Sequence, residues 1–194
     1  MKRARLEHGP VEELLKQLDA DSVDLVLADP PYAINIATWD KIDDYLAFSR
    51  QWIREAVRTL RPGGALLIYG SPERTWLARL LIMCVDEFGL NHVQKLVWAF
   101  GQGGDARLGT MKSYAVRHEE LVWFEKPATA TQTRTFNAAA IASHYTEAEM
   151  QVALKKGVGR VKRESLERGR PPTTHVDVPR ENSCSKERRY GKHC

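Results

Sequence analysis

The stretch that decides the fold is Val23-Asp24-Leu25-Val26-Leu27-Ala28, followed at once by Asp29-Pro30-Pro31-Tyr32. The nearly continuous apolar run at 23–28 is typical of a strand that is buried on both faces of a sheet. Two consecutive prolines end that run abruptly. In open α/β sheets, ligands gather at the carboxyl ends of the strands, so residues 29–32 are predicted to form a binding loop at that edge.

Residues 29–32 offer two hydrogen-bond acceptors that suit one amino group. An ionised Asp29 only accepts hydrogen bonds, and the carbonyl of Pro30 is held between two rigid rings. Holding both protons of an aromatic amine localises the nitrogen lone pair, and Tyr32 is placed to stack on an extruded base. The alternative is a plain proline turn, in which Asp29 caps the strand end and Tyr32 belongs to the core.

The flanking sequence alternates between helix and strand signals. Amphipathic helices are predicted over 11–18 and 43–60, and a third runs from Pro72 to near Gly89. The predicted strands are 23–28, 65–69, 92–100 and 119–124. Arg61-Pro62-Gly63-Gly64 is predicted to end the second helix. The alternation predicts an α/β sheet with crossover helices.

Composition and charge limit the class of protein. The chain has 194 residues, of which 43% are hydrophobic and 28% charged, enough for one ordinary domain and a modest extra segment. Residues 1–154 carry 17 basic and 20 acidic side chains, whereas residues 155–194 carry 12 basic and 5 acidic ones. The C-terminal part is therefore expected to attract polyanions, unless the basic run is simply solvated surface.

The sequence predicts a cytoplasmic protein with no membrane partner and no metal. The most apolar stretch, 77–85, is short and contains Arg79, whereas a membrane span needs roughly 20 apolar residues. No apolar block of the secretory type follows the basic start of the chain. The cysteines, Cys84, Cys184 and Cys194, lack a paired metal-binding spacing and are interpreted as reduced thiols.

A second candidate site is basic. Thr146 and Glu149 have the spacing of a capping box and predict a helix that runs to about Lys156. Together with the basic stretch that follows, this helix is a candidate for nucleic-acid contact; a solvated helix and linker is the alternative. The candidate phosphate-binding residues are Arg117, His118, Lys155, Lys156, Arg160, Lys162 and Arg163.

Several segments, in one order, resemble the amino-methyltransferases of DNA. These are His8-Gly9, the run from Ser22 to Tyr32, Leu60-Arg61-Pro62-Gly63-Gly64, Leu96-Val97-Trp98, Arg117-His118-Glu119, Ser185-Lys186-Glu187-Arg188 and Gly191-Lys192-His193. Enzymes of that family methylate N6 of adenine or N4 of cytosine with S-adenosylmethionine. The order of the segments is similar to the β group, in which the Asp-Pro-Pro-Tyr half precedes the cofactor-binding half.

The resemblance implies a Rossmann-like, three-layer α/β methyltransferase fold with a partial sheet. It implies a catalytic, methyl-acceptor half at 1–126, a target-recognition segment at 127–175 and a return segment at 176–194. The sequence stops where the family continues into its cofactor half. The strand at 23–28 is then expected at an open sheet edge, which a partner chain or an oligomer would cover, unless the gene is truncated.

The resemblance also implies a function and a site. The expected activity is methylation of double-stranded DNA by base flipping, within a restriction-modification system. Asp29, Pro30, Pro31 and Tyr32 are the expected catalytic residues, and Gly9, Asp29, Pro30 and His193 the expected cofactor-binding ones. Pro10 replaces the Asp that many relatives have there. The alternatives are an inactive nucleic-acid-binding subunit or remnant that needs a partner chain, and a methyltransferase of protein or RNA amines.

Overall fold

The computed structural model describes residues 4–99, 112, 114–129, 134–157 and 161–177. The chain divides into two compact units. The first comprises Met1–Arg134 and His175–Cys194, and the second Thr135–Thr174. The second unit falls within the segment predicted to recognise the target, 127–175, a role that stays a prediction.

The first unit contains three helices and five strands among its described residues. In chain order they are α1 (Val11–Leu15), β1 (Val23–Ala28), α2 (Tyr45–Thr59), β2 (Leu60–Gly70), α3 (Thr75–Asp86), β3 (Asn91–Ala99), β4 (His118–Glu125) and β5 (His175–Asp177). The predicted alternation of strands and helices is confirmed. A short 3₁₀ turn, Thr38–Asp40, lies between β1 and α2.

The strands form one mixed sheet in the order β1-β2-β4-β3-β5. β1 pairs parallel with β2, β4 is antiparallel to both β2 and β3, and β5 is parallel to β3. β1 is therefore an edge strand among the described strands, as the resemblance implied. Ala28 pairs with Ile68, so the chain leaves β1 at the carboxyl edge of the sheet.

The core lies between the sheet and helices α2 and α3. α2 buries Trp52, Ile53 and Ala56 because these residues recur on one helical face. They pack with buried side chains of α3 and of the sheet. Those partners are Trp76, Leu77, Leu80, Met83 and Cys84 of α3, Leu66 and Ile68 of β2, and Val122 and Phe124 of β4. Three layers were predicted. The described residues of this unit show two of them, the sheet and the helices α2 and α3 on one of its faces.

The opposite face of the sheet is apolar but much less covered. Leu25 and Leu27 of β1 are 53% and 58% exposed. Further along this face, an apolar hollow of about 190 Å³ is lined by Tyr69, Leu96, Trp98, Leu121 and Val176. The prediction that the strand at 23–28 is buried on both faces is therefore wrong, because only Val23, Val26 and Ala28 of this edge strand pack against the core.

The sequence Arg61-Pro62-Gly63-Gly64 does not simply end the second helix; it belongs to β2. The register between β1 and β2 shifts between Val23 and Leu25, so this segment bulges. Gly63 has a φ of 75°, which favours glycine. Its N–H donates to the carbonyl of Lys126 at 2.9 Å, and the N–H of Lys126 donates to Gly64 at 3.0 Å. These bonds keep the bulge in the sheet.

Where the structure describes it, the second unit contains a 3₁₀ turn (Ala138–Ile141) and two helices, α4 (Glu147–Lys156) and α5 (Arg163–Glu167). Thr146 caps α4, and both hydrogen bonds of the predicted capping box are present. Ser143 pairs with Arg170 in an isolated bridge. The prediction of a capped helix ending at Lys156 is confirmed. No helix among the described residues of either unit has the length and apolarity that crossing a bilayer requires.

Candidate active site

The loop Asp29–Tyr32, called the amine loop below, lies at the carboxyl edge of the sheet. Asp29 is exposed and Pro30 is buried, so the loop presents its carboxylate to solvent while its backbone is anchored. β4 begins at the same edge, because Glu120 pairs with Gly70 at the end of β2. The parallel strands thus place their carboxyl ends beside the start of β4.

Tyr32 is half-buried beside the exposed Asp29. Its hydroxyl lies near enough to Asp29 for the charge of that carboxylate to act on it. Burial, and after it the negative charges of Asp29 and Glu119, raises the pKa of Tyr32 well above 10.0. The ring of Tyr32 lies 5.7 Å from that of Trp76, with the planes tilted by 54°. Tyr32 is therefore a neutral donor with a fixed ring.

Asp40 organises the chain just after the amine loop. Its carboxylate accepts the N–H groups of Ala33 and Ile34 at 2.8 Å each and that of Ile36 at 3.3 Å. The side chain is 1% exposed. Burial favours the neutral acid, but these backbone hydrogen bonds outweigh it and hold the pKa of Asp40 below 3.8. Asp40 was not predicted, since nothing in the sequence separates it from the exposed aspartates around it.

A cavity of about 570 Å³ opens beside the amine loop and along β1. Its walls are mostly apolar, and Asp29 carries the only charge among the described residues that line it. This volume lies within the range of small-molecule sites. The lining side chains belong to α1, β1, the amine loop and α2: Val11, Leu15, Leu18, Val23, Leu25, Val26, Leu27, Ala28, Asp29, Pro30, Pro31, Phe48 and Trp52.

The structure brings some predicted site residues together and leaves others apart. Asp29, Pro30 and Pro31 line the cavity, and the charge of Asp29 acts on Tyr32. Gly9 is exposed and lies just before α1, two residues from the lining residue Val11. His193 lies outside the described residues. Of the predicted cofactor residues, only Asp29 and Pro30 are therefore seen at the cavity.

The first pair of predicted nucleic-acid residues lies where β4 begins. Arg117 is half-buried and directly precedes β4. His118 is the first residue of β4 and pairs with Ala99 at the end of β3. Glu119, which follows, is one of the charges that raise the pKa of Tyr32. The predicted pair therefore lies at the sheet edge that carries the amine loop.

The other predicted nucleic-acid residues belong to the second unit. Lys155 and Lys156 are exposed in the last turn of α4, and Lys162 is the exposed N-cap residue of α5. Arg163 bonds Glu147 at 2.8 Å and Glu167 at 3.1 Å, so its charge is engaged within the unit. Arg160 lies outside the described residues. The exposed lysines are the better placed of this group for phosphate contact.

The described part of the chain brings no three His, Cys, Asp or Glu side chains together in a metal-binding arrangement.

Comparison with known proteins shows which protein family the chain matches. A family model described as DNA methylase, of the N6/N4 methyltransferase type, matches residues 23–193. The chain is similar to the Type II methyltransferase M.HpaI of Haemophilus parainfluenzae, with 30% identity over 118 residues, which are 58% of this chain and 35% of that protein. It is also 30% identical over 140 residues to the DNA adenine methyltransferase YhdJ of Escherichia coli K12, covering 69% of this chain and 44% of that protein.

Solved structures show the same fold. The PvuII DNA methyltransferase, which is cytosine-N4-specific, superposes with a TM-score of 0.61 at 16% identity, covering 93% of this chain and 59% of that one. TTHA0409 of Thermus thermophilus superposes with a TM-score of 0.53 at 22% identity, covering 88% of this chain and 65% of that one. The predicted Rossmann-like methyltransferase fold is confirmed. The chain matches less than half the length of the two curated relatives named above.

Proposed function

The chain belongs to the DNA methylase family whose model matches it, and from that membership we propose that it supplies the methyl-acceptor half of a DNA amino-methyltransferase. The proposed reaction transfers a methyl group from S-adenosylmethionine to the exocyclic amine of adenine or cytosine in double-stranded DNA. The relatives named as Type II methyltransferases support a place in a restriction-modification system.

The observation that carries this proposal is the exposed carboxylate of Asp29 between Tyr32 and the cavity. A carboxylate has about four lone-pair positions. Those of Asp29 can accept the two N–H groups of an exocyclic amine, shared with the carbonyl of Pro30. Both acceptors sit at the end of a strand, so they hold the amine against a rigid frame.

The ring of Tyr32 and the charge of Asp29 then have separate tasks. Trp76 packs against the Tyr32 ring, so that ring offers a preset stacking surface to a base that has left the duplex. Two hydrogen bonds from the amine to Asp29 and to the Pro30 carbonyl direct the nitrogen lone pair away from the base ring. As the amine becomes a secondary amine it loses one proton, and Asp29 is positioned to accept that proton.

The cavity beside the amine loop fits a cationic cofactor at one end. Asp29 attracts the positive charge of a sulfonium, and the apolar walls suit the uncharged part of such a molecule. When bound, S-adenosylmethionine supplies an electrophilic methyl group. Asp29 and Pro30 would face it, while Gly9 and His193 are the remaining residues we propose for its contact.

Asp29→Ala tests the proposal. The assay measures transfer of a labelled methyl group from S-adenosylmethionine to duplex DNA by the full chain, followed by identification of the methylated nucleoside. Loss of an acceptor that orients the reacting amine is expected to lower turnover by about 10²–10³-fold, with DNA affinity nearly unchanged. Asp19→Ala, an exposed aspartate in the turn before β1, is the matched control. Full activity in Asp29→Ala would reject the assignment.

A second candidate is a nucleic-acid-binding subunit that is inactive alone. The exposure of Leu25 and Leu27 on β1 favours it, because an apolar edge of this kind is normally covered. Calorimetric titration of the chain with S-adenosylmethionine separates the two candidates. Tight binding supports an enzyme with its own cofactor site, whereas no binding supports a subunit that needs a partner chain.

A further inference from the structure

Helix α1 and the turn after it, residues 11–18, form one side of the cavity beside the amine loop and are called the α1 wall below. Val11, Leu15 and Leu18 of this wall line the cavity. α1 has only five residues, none of them buried, and no side chain caps its N-terminus. A helix this short is marginal in water, and its last carbonyl groups have no partners within the helix. Contacts from another element must therefore hold the α1 wall in place.

Arg58 of helix α2 supplies such contacts. Its Nη2 donates to the carbonyl of Leu15 at 2.9 Å, and its Nη1 donates to the carbonyl of Leu18 at 3.0 Å. Its Nε donates to Oε2 of Glu55, one turn earlier on α2, at 2.8 Å. The guanidinium group is therefore bonded to the α1 wall through two nitrogens and to its own helix through the third.

The charge and the shape of Arg58 both suit this position. Free carbonyl groups give the end of a helix a partial negative charge, which a cation stabilises. α1 has no basic residue in its own last turn, so the cation comes from α2. A lysine has no planar fork of donors, so it cannot hold two carbonyl groups and a carboxylate in one fixed geometry. Arg58 and Glu55 are both half-buried, which limits competition from water.

Arg58 fixes the α1 wall relative to other residues of the same cavity. Phe48 and Trp52, which line the cavity, belong to α2 like Arg58 itself. At the other end of the wall, the N–H groups of Glu13 and Leu14 donate to the carbonyl of Pro10 at 3.1 Å each. Pro10 follows Gly9, one of the residues proposed to contact the cofactor. The position of α1 against α2 therefore affects both the cavity and its rim.

On this basis, which rests on the proposed function, we propose that Arg58 is a positioning residue for the cofactor cavity. It holds the α1 wall against α2, so that the apolar part of S-adenosylmethionine meets a surface that is already formed. Arg58 is not among the described residues that line the cavity, so it acts through Leu15 and Leu18. A preformed wall raises affinity because binding does not have to order it.

The test measures binding of S-adenosylmethionine by calorimetric titration to the unmodified full chain, to Arg58→Ala and to Arg58→Lys. If the wall is in place only about a tenth of the time, the apparent Kd rises about tenfold. Arg58→Ala is expected to show a loss of this size. Arg58→Lys keeps the charge but not the fork, so it is expected to recover only part of the affinity.

A second measurement follows the wall without any cofactor. The amide of Leu14 bonds the carbonyl of Pro10, and the amide of Leu18 bonds the carbonyl of Leu15 at 3.0 Å. Hydrogen exchange of these two amides should accelerate in Arg58→Ala and, to a smaller extent, in Arg58→Lys. Unchanged exchange in Arg58→Ala would show that Arg58 does not hold the wall.

Arg50→Lys is the matched control. Arg50 is also an arginine of α2 with an ion pair, to Glu87 at 2.7 Å, and it is not among the described residues that line the cavity. Its Kd for S-adenosylmethionine and its exchange rates in α1 should equal those of the unmodified chain. Thermal unfolding checks that each variant is folded at the temperature of the assay.

The methyl-transfer assay separates positioning from a general loss of structure. In Arg58→Ala the KM for S-adenosylmethionine should rise, while kcat at saturating cofactor and the affinity for duplex DNA stay unchanged. If affinity for the cofactor and for DNA falls alike, a general loss of structure explains the effect and the inference fails.

The remaining outcomes distinguish this inference from the proposed function. If the unmodified chain binds S-adenosylmethionine and Arg58→Ala binds it with the same Kd, the positioning role is refuted while the methyltransferase proposal stands. If the unmodified chain does not bind S-adenosylmethionine, the cavity is not a cofactor site, and the inference falls together with that part of the proposed function.

Discussion

Asp40 shows how much one buried carboxylate contributes at the scale of a residue. It lies in a 3₁₀ turn, is almost fully buried, and accepts the backbone N–H groups of Ala33, Ile34 and Ile36. Hydrogen bonds to a charged group are each stronger than neutral ones, at about 1.5–3 kcal/mol. The course of the chain directly after Tyr32 therefore depends on this one side chain.

Asp40→Asn is expected to lower the free energy of unfolding by about 2–3 kcal/mol, because the amide has one acceptor oxygen and its NH₂ group faces N–H donors. Hydrogen exchange of the Ala33, Ile34 and Ile36 amides should accelerate in the variant. Asp43→Asn, an exposed neighbour, is the control and should stay within about 0.5 kcal/mol of the unmodified chain. Unchanged exchange at these amides in Asp40→Asn would contradict the role given to Asp40.

The segment that Asp40 holds, residues 33–40, is expected to open in acid. The pKa of Asp40 is lower in the folded chain than its ordinary value of 3.8, so its stabilising effect is complete above that value and is lost as the pH falls through the folded-state pKa. Hydrogen exchange measured as a function of pH should therefore show that the amides of residues 33–40 lose protection when the pH is below 3.8. Asp40→Asn should abolish this acid step.

At the scale of an element, β2 and α3 are fitted together at Gly70. A Cβ added at Gly70 would lie 2.7 Å from Cδ1 of Leu77 and 2.9 Å from the ring of Trp76. Because Trp76 also packs against Tyr32, a displaced Trp76 ring would disturb the amine loop. The close approach explains why glycine ends β2 here.

Gly70→Ala is expected to destabilise the chain by about 1–3 kcal/mol through overpacking. Chemical denaturation measures this loss of stability, and a double-mutant cycle with Leu77→Val supplies the control. If the added methyl group clashes with Leu77, the smaller valine should relieve part of the cost, so the double variant is more stable than the sum of the single changes predicts. Strict additivity would show that the contact is not the cause.

In the second unit, α4 depends on its N-terminal cap. The Glu149 carboxylate accepts the N–H of Thr146 at 2.8 Å and bonds the Thr146 hydroxyl and Arg170 as well. These contacts, the Thr146 backbone first, lower the pKa of Glu149 to about 2. The stabilising effect of Glu149 is therefore present above pH 4.5 and lost as the pH falls towards about 2.

Thr146→Ala is expected to lower the stability of α4 by about 1 kcal/mol, the usual cost of losing a cap. Hydrogen exchange of the amides of α4, including Met150, reports this helix separately from the first unit. Ser165→Ala, an exposed position in α5, is the control. Exchange rates in α4 that match those of the unmodified chain would refute the importance of the cap.

At the scale of the whole molecule, the described structure carries an apolar edge at β1. Leu25 and Leu27 are more than half exposed, and β1 is the last strand on its side of the described sheet. Such an edge offers unpaired backbone groups and apolar side chains to another chain. The edge and the cavity beside it form one continuous surface, because Leu25 and Leu27 line that cavity.

Leu27→Lys is expected to reduce concentration-dependent self-association, because a charge on an edge strand opposes pairing with another chain. Its stability should change little, within about 0.5 kcal/mol, since Leu27 is 58% exposed. Sedimentation equilibrium measures the first effect and thermal unfolding the second. Leu66→Lys, at a fully buried position of β2, is the contrast and should unfold the chain. Equal self-association of Leu27→Lys and the unmodified chain would argue against the edge as a contact surface.

Local sequence patterns were sufficient for the order of the elements from α1 to β4 and for the place of the amine loop, whereas α5 and β5 were not predicted. The apolar run at 23–28, the helical spacing in α2 and the capping box of α4 are encoded by near neighbours, and each element was predicted within a few residues. The bounds of β2 were missed because the bulge at Pro62 depends on hydrogen bonds to Lys126, which is distant in the sequence. Likewise, the exposed half of β1 depends on which strands flank it.

The amino-acid sequence by itself determined the fold class, the succession of strands and helices from α1 to β4, and the position of Asp29–Tyr32 at a strand end. Only the tertiary structure decided that Asp40 anchors residues 33–36, that Glu119 acts on Tyr32, and that one face of β1 is open. The physical reason is the distance along the chain over which each effect acts. Helix and strand propensities act over a few residues, whereas burial, hydrogen-bond partners and electrostatic neighbours are set by segments that meet only after folding.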